Sequence, residues 1–503
     1  MRLNRQHVAS PGALPSGVVC GPLEEFPERV LQFGEGNFLR SFVDWMIDAM
    51  NARGHFRGRV VVVQPIERGT VDALNAQDGL YTCLLRGMQR GQVTEQREVI
   101  TAIRRGIDPY RNWGEFLATA AQPDLRVVVS NTTEAGIAYA EEPFPAGACP
   151  RSFPAKVAAW LYQRFQRLGG DPQRGLIFLP CELIDKNGAT LRTHVLQHAA
   201  AWGLPPAFSR WVGDHCQFLN TLVDRIVPGY PHEEAAAIAA QLGYEDRLLT
   251  TGEIFHIWVI EGDQRLAREL PFTQAGLNVV WTADLAPYRT RKVRILNGAH
   301  TMTALPAYLG GLETVRACVE DAHFGAYLRR AVFDEILPLL PGPAGETRAF
   351  AEEVIERLAN PFIKHNLLSI ALNSVAKYRV RVLPSLLEFR QRRGALPPLL
   401  TFSLAALLRF YRGTEIREGT LAGERDGTAY QVRDDAEVLA AFAEAWRRHA
   451  RDADTPALCQ SLLGRAPLWG EDLAARPDLA SGVTAHLARI LRDGIRPPLS
   501  SLL

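Results

Sequence analysis

The chain's most constraining feature is a short apolar run, Arg29-Val30-Leu31-Gln32-Phe33, followed directly by Gly34-Glu35-Gly36-Asn37-Phe38-Leu39-Arg40. Past the glycines, Phe38, Phe42, Trp45, Met46 and Met50 recur at helical spacing. Strand, glycine turn and amphipathic helix, in that order, open a dinucleotide-binding unit. The glycines let the backbone approach a pyrophosphate, which the free N–H groups at the helix start would receive. A third glycine is usual where Leu39 stands, so a plain tight turn also satisfies the pattern. Arg40 is placed to supply positive charge instead. Phe33, Gly34, Glu35, Gly36, Asn37, Phe38 and Arg40 are therefore candidate cofactor contacts.

A second strand, Arg59-Val60-Val61-Val62-Val63, ends in Gln64-Pro65-Ile66-Glu67-Arg68. A Rossmann unit that takes NAD commonly places an acid here, on the ribose hydroxyls. Gln64 holds the tip; Glu67 would oppose a 2′-phosphate and Arg68 would suit one. The choice between NAD and NADP stays open, with the balance toward NAD. Apolar strands recur at 81–85, 126–130 and 176–179, alternating with helical patterns near 113–121, 154–168 and 188–202. That alternation predicts an α/β sheet covered on both faces. From about residue 285 strand-like runs nearly vanish. Helical patterns cover 314–340, 345–358, 361–376, 398–412, 435–451 and 481–492. The expected organisation is an irregular leader (1–24), a Rossmann-like domain (25–284) and a mostly α-helical C-terminal domain (285–503).

Two loops follow strand tips, where open sheets bind ligands. Ser130-Asn131-Thr132-Thr133-Glu134-Ala135-Gly136 has hydroxyls and amides for a nicotinamide or ribose, although such runs also cap helices. In Pro180 to Gly188, Asn187-Gly188 is a turn signal first and an oxyanion donor second. His194 and His198 stand four apart on a helical pattern, a metal-ligand spacing, but no carboxylate lies between them and no zinc site is expected.

The densest cluster of reactive side chains is Lys292-Val293-Arg294-Ile295-Leu296-Asn297-Gly298-Ala299-His300-Thr301. On a regular helix, at about 100° per residue, Lys292, His300 and Asn297 fall within one half of the surface, at roughly 0°, 80° and 140°. Gly298 would leave room for a ligand. Composition sharpens the point: among 56 Lys+Arg only Lys156, Lys186, Lys292, Lys364 and Lys377 are lysines. A desolvated lysine can give and take a proton near neutrality, which an arginine cannot. The plain alternative is a surface lysine beside a buried histidine and a capping asparagine. The cluster sits where the texture changes, and domain seams favour small-molecule sites.

A net charge of +1 gives no reason to expect nucleic acid or an acidic membrane as partner. Seven cysteines without CxxC spacing argue against a disulfide framework and fit a reducing compartment. With no long apolar run, the expected location is the cytoplasm.

Taken together, residues 28 to about 400 resemble the long-chain polyol dehydrogenases typified by mannitol dehydrogenase. The matching stretches are 31–40, 130–136 (SNTTEAG), 179–188 (LPCELIDKNG), 220–228, the lysine helix, Asn360-Pro361 and 377–384. The resemblance implies a zinc-independent, NAD-linked oxidoreductase with Lys292 as acid/base. Asn297 and, by position, Asn187 would donate to the developing alkoxide. His300 would hold the substrate and tune the lysine. The mannitol branch has Cys-Asp-Asn where this chain has Cys181-Glu182-Leu183, and a glutamate where Arg289 stands. It also has an arginine and a histidine where Ser369 and Leu372 stand. Arg289, Lys377 and Arg381 add cations that a neutral polyol does not need and a sugar acid does. With Asp224 they complete the expected substrate contacts, and the expected substrate is a ketouronate reduced with NADH. Three readings compete: a sister reductase of a related ketouronate or neutral ketose, a dinucleotide sensor without turnover, and a metal-dependent isomerase using His194 and His198. Oligomeric state is left open.

Overall fold

Six strands of the computed structural model, which describes residues 2–133, 136–449 and 454–503, form an all-parallel sheet. They are β1 (Glu28–Phe33), β2 (Arg59–Val63), β3 (Ile103–Ile107), β4 (Val127–Ser130), β5 (Ile177–Pro180) and β6 (Gln217–Phe218). In space they run 3-2-1-4-5-6, and every neighbouring pair is parallel. This is the strand order of a dinucleotide-binding sheet, with its crevice beyond the carboxyl ends of β1 and β4. The sheet lies in the first of two compact units, Met1–Leu285; the second is Ala286–Leu503.

The strands read as continuous apolar runs because both faces are covered. All five residues of β2 are buried, and each of its four valines contributes about 1.5–3 kcal/mol by leaving water. Leu31, Val61, Val63, Val128 and Phe178 pack on one side beneath α1 (Phe153–Arg167) and α2 (Asn187–Ala201). Val30, Val60, Val62, Val129 and Leu179 pack on the other, against Phe42, Met46 and Met50 from the helical run 37–52.

Two expectations for this unit need correction. Residues 81–85 belong to a different sheet. The strand Tyr81–Gln89 pairs antiparallel with Gln92–Ile100, and Val18–Cys20 and Thr250–Gly252 lie outside that pair. Arg90 and Gly91, both left-handed (φ +54° and +74°), make the tight turn that suits a twisted hairpin. The leader is not irregular either. Arg5–Val8 is helical and Val18–Cys20 is a strand parallel to Gln92–Ile100. Leu3, Leu14 and Val18 fill the apolar side of that second sheet with Leu80, Leu84 and Val99, which orders the segment.

The second unit is mostly helical. Its centre is α3 (Ala286–Lys292), a π-helical turn Val293–Asn297 and α4 (Gly298–Leu309), packed on α5 (Ser374–Arg381) and α6 (Pro398–Phe410); α7 (Pro477–Asp493) lies against α6. Every residue of α4 except His300 is buried. The expected helix over 361–376 is instead two, Leu367–Ile370 and α5, broken at the left-handed Asn373 (φ +52°). The run 314–340 also restarts, at Asp321, whose carboxylate accepts from the N–H groups of His323 and Phe324. A three-stranded meander, Ile416–Arg417, Thr420–Arg425 and Thr428–Val432, interrupts the helices.

Candidate active site

In the first unit the glycine turn and the 131–133 loop leave adjacent strand ends. Gly34 has φ +122°, and a Cβ there would lie 3.0 Å from the Asn131 carbonyl oxygen, so only glycine lets the two loops approach this closely. The Gly34 N–H donates to Val63 O and the Asn131 N–H to Phe33 O, both at 3.0 Å. A Cβ on Gly36 would meet nothing within 4 Å. Gly36 is the N-cap of the helix that begins at Asn37, whose first N–H groups have no acceptor within the helix. An approachable backbone and a helix start are what a pyrophosphate needs, so these residues fit a dinucleotide.

Side chains expected to touch the cofactor are partly occupied elsewhere. Arg40 is buried: Nε donates to Glu35 O (3.1 Å), Nη2 to Asn37 Oδ1 (2.7 Å) and Nη1 to Leu248 O, with the guanidinium over the Tyr81 ring at 5.1 Å. It clamps the glycine turn from beneath instead of reaching outward. Phe33 is a core residue against Phe116 and Phe153, and Phe38 stacks on Phe42, so these two side chains are structural. Glu35 Oε1 accepts from Thr70 N (3.2 Å), tying the turn to the loop after β2, and burial raises its pKa. Gln64 Nε2 donates back to Ile66 O and Glu67 O (2.9 and 3.1 Å) and shapes that loop.

Beyond β4, Glu182 gathers the loop. Its carboxylate accepts from Ser130 Oγ (3.0 Å), Thr132 N (2.9 Å) and Thr132 Oγ1 (3.0 Å), while Asn131 Nδ2 donates to Cys181 O (3.0 Å). Burial pushes the Glu182 pKa up against those bonds. Thr133 is exposed at φ +97°, a strained conformation for a β-branched residue. Glu134 lies outside the described residues.

Asn187 departs from its expected role. It is 1% exposed. Nδ2 donates to the carbonyls of Pro180, Glu182 and Thr221 (2.9, 3.1 and 3.1 Å), and Oδ1 accepts from Gly188 N and Thr221 N (both 2.9 Å). Two amide hydrogens already serve three carbonyls, so this arrangement holds none for an alkoxide. Asn187 is a clip between the β5 loop and the strand Asn220–Asp224. Asp224 ends that strand, buried next to Arg225, whose guanidinium donates to carbonyls of Ser41, Ile254 and Phe255. His194 and His198 lie on α2, where His198 packs against Tyr139 and Trp202 at 4.7 and 5.0 Å.

In the second unit, Lys292 and Asn297 are half-buried at the two ends of the π turn. A π turn closes i→i+5, so each residue advances by less than the α-helical angle of about 100°. Asn297 is thereby rotated back toward the edge that Lys292 occupies, closer than a regular helix would place it. Gly298 makes room for protein, not ligand: a Cβ would come 3.3 Å from the Arg381 carbonyl oxygen, where α5 crosses. His300 Nδ1 lies 3.1 Å from Leu296 O, which assigns the proton to Nδ1 and leaves Nε2 as an acceptor. Burial, then His365, pushes its pKa down to about 3, so the ring is neutral.

Next to it, Arg381 Nη1 donates to Thr301 Oγ1 (3.4 Å) and Lys377 Nζ to Ile370 O (3.0 Å). Burial, then Arg381, lowers the Lys377 pKa. Arg289 is half-buried on α3, three residues before Lys292. Arg291 and Arg294, which flank Lys292 in sequence, have other partners: Arg291 stacks over Tyr288 and Phe350, and Arg294 pairs with Glu388. His365, which sequence reasoning missed, meets the His300 ring edge-on at 5.1 Å. Its one signal was position, next to Lys364 in a lysine-poor chain.

Comparison with known proteins gives these sets a common origin. The family model "Mannitol dehydrogenase Rossmann domain" matches residues 28–274, and "Mannitol dehydrogenase C-terminal domain" matches 284–491. The chain belongs to the mannitol dehydrogenase family. Membership makes it an oxidoreductase acting on a CH–OH group. An altronate oxidoreductase of Halalkalibacterium halodurans is 44% identical over 481 residues, 95% of this chain and 94% of that protein. One from Klebsiella pneumoniae is 45% identical over 483 residues, 96% and 98% of the two chains. Two solved structures share the fold of this mannitol dehydrogenase family member. A D-sorbitol dehydrogenase in substrate-free form has TM-score 0.81, 22% identity and coverage of 99% and 100%. The Pseudomonas fluorescens mannitol 2-dehydrogenase has TM-score 0.71, 21% identity and coverage of 100% and 99%. Among the described residues, no helix is long and apolar enough to cross a membrane.

Proposed function

We propose that this protein interconverts D-tagaturonate and D-altronate, with NADH and NAD as the redox pair, in the cytoplasm. The observation that carries the substrate is the 44–45% identity to altronate oxidoreductases over nearly the whole of both chains. The cation set of the second unit supports it. Lys377 and Arg381 are anchored on α5 next to His300 and Thr301, where a carboxylate would find an ammonium and a guanidinium. Glu67 after β2, which would repel a 2′-phosphate, favours NAD. The seven unpaired cysteines suit a reducing compartment.

When bound, the cofactor supplies or takes the hydride. Lys292 gives a proton to the substrate oxygen in reduction and removes it in oxidation. Asn297, turned to the same helical edge, donates to that oxygen as charge develops on it. His300, neutral with Nδ1 tied to the backbone, accepts from a substrate hydroxyl through Nε2. Lys377 and Arg381 hold the carboxylate, and Arg289 completes the substrate contacts of this unit. Phe33 to Arg40, Gln64 and Asn131 to Glu134 form the cofactor-binding segments.

The test is a substrate panel followed at the NADH absorbance, with D-tagaturonate, D-fructuronate and D-fructose, each with NADH and NADPH. The reading expects the highest kcat/KM for tagaturonate with NADH. Preference for fructose would remove the carboxylate argument, and preference for NADPH would overturn the role given to Glu67.

A further inference from the structure

We propose that the second unit holds a binding site for a small organic polyanion at the C-terminal end of α4, remote from the candidate catalytic lysine. A cavity of about 500 Å³ opens there, lined by Arg409, Arg412, Arg425 and Arg496, with Asp426 and Asp493 as its acids. That volume lies in the range of small-molecule pockets, about 300–1,000 Å³. Lys292 precedes Gly310 by eighteen residues, on the order of 25 Å along the helix axis.

Four guanidiniums in one cavity need an explanation, and helix capping explains only two. Arg425 Nη1 donates to Tyr308 O (2.9 Å), with its guanidinium 4.2 Å over the Tyr308 ring, and Arg496 Nε donates to Gly310 O (2.9 Å). Both satisfy carbonyls at the end of α4, as cations there commonly do. They also pair with Glu313 and Asp321. These contacts fix the two guanidinium planes and leave the Arg496 Nη2 edge for another acceptor.

Arg409 and Arg412 cap nothing on α4. Arg409 Nη2 donates to Glu424 O (3.1 Å). Arg412 is exposed over Trp446 at 5.7 Å and has no carboxylate within ion-pair distance among the described residues. On the acidic side, both oxygens of Asp493 are bonded to Arg492 outside the cavity wall, and Asp426 is an exposed hairpin-turn residue (φ +49°). Glu313 and Asp321 neutralise Arg425 and Arg496, and Arg492 neutralises Asp493, which leaves Arg409 and Arg412 facing Asp426. Planar forks of N–H donors held in place match phosphate and carboxylate groups alike. Arg409 and Arg412, with no carboxylate within ion-pair distance among the described residues, call for a ligand that carries two negative charges. The volume calls for an organic molecule carrying them, not a lone ion.

Calorimetric titration of the full-length protein at physiological ionic strength, with citrate and separately with inorganic pyrophosphate, tests this. Saturable one-to-one binding with Kd below about 1 mM is expected for at least one probe. Citrate alone would assign a carboxylate ligand, and pyrophosphate alone a phosphate ligand. Arg412→Glu should weaken that binding at least about tenfold without changing the melting temperature or NADH-linked turnover. Arg412→Lys, which keeps the charge and loses the fork, should fall between. No saturable binding of either probe, or unchanged affinity in Arg412→Glu, would overturn the proposal.

Discussion

Replacing Asn187 by alanine separates a scaffold role from a chemical one. The side chain is buried and makes five hydrogen bonds to backbone groups. Truncation leaves the N–H groups of Gly188 and Thr221 without their acceptor, in a place water reaches poorly. Each such buried donor costs about 1–3 kcal/mol, so the pair costs about 2–6 kcal/mol. The three carbonyls add less, since each keeps a second lone pair. A central value of about 4 kcal/mol, at about 2–4 °C per kcal/mol for domains of this size, lowers the melting temperature by about 8–16 °C. Tryptophan fluorescence melts and urea titrations of Asn187→Ala against the parent protein measure this directly. Unchanged melting with turnover abolished would refute the reasoning, because the amide would then be acting on substrate.

Three further outcomes are expected. Burial raises Asp44 and Asp48 from the usual carboxylate range to about 7. Such groups favour the folded state fully below the unfolded pKa near 3.8, and that contribution is lost as pH rises to about 7, by about 1.4 kcal/mol per pH unit for each group. Asp44→Asn should therefore gain stability relative to the parent as pH rises from 3.8 to about 7 in urea titrations, a window of about three units. A parallel pair of stability profiles would show that Asp44 ionises freely in the fold. Lys292→Ala should abolish turnover while fluorescence titration still detects NADH binding; near-normal turnover would mean the proton donor is misassigned. Lys377→Ala and Arg381→Ala should each raise KM for uronates about tenfold or more, as befits a lost charge-assisted bond of 1.5–3 kcal/mol, roughly, and leave neutral sugars nearly unaffected. Equal changes for both classes would count against a carboxylate role.

The opening of the nucleotide-binding half was legible because apolar spacing switches from strand to helix across two glycines, and because Val60 to Val63 admits no solvent face. Other strands hid their nature. Gln92–Ile100 is exposed along much of its length and spells Thr-Glu-Gln-Arg-Glu in its middle. Ile103–Ile107 carries Arg104 and Arg105, which are paired to Glu25 and Glu28. Neither shows an apolar alternation. Site residues divided in the same way. Gly298 announced a close approach but not what approached. Glu182 and Asn187 work through groups distant in sequence, and His365 gains meaning only where its ring meets His300.

The wide turn at Val293–Asn297 also fixes how this stretch of chain can vary. Deleting one residue there would restore regular winding with a shortening of only about 1.5 Å, so flanking helices would scarcely register a gap. Side chains downstream would keep nearly their present bearing, because four residues at about 100° each cover roughly the rotation that five cover in the wide turn. His300 and Thr301 would stay beside α5, and Gly298 would still meet the Arg381 carbonyl. Loop insertions elsewhere alter reach and surface. In this helix one residue more or less is absorbed inside the turn, and the groups on either side keep their company.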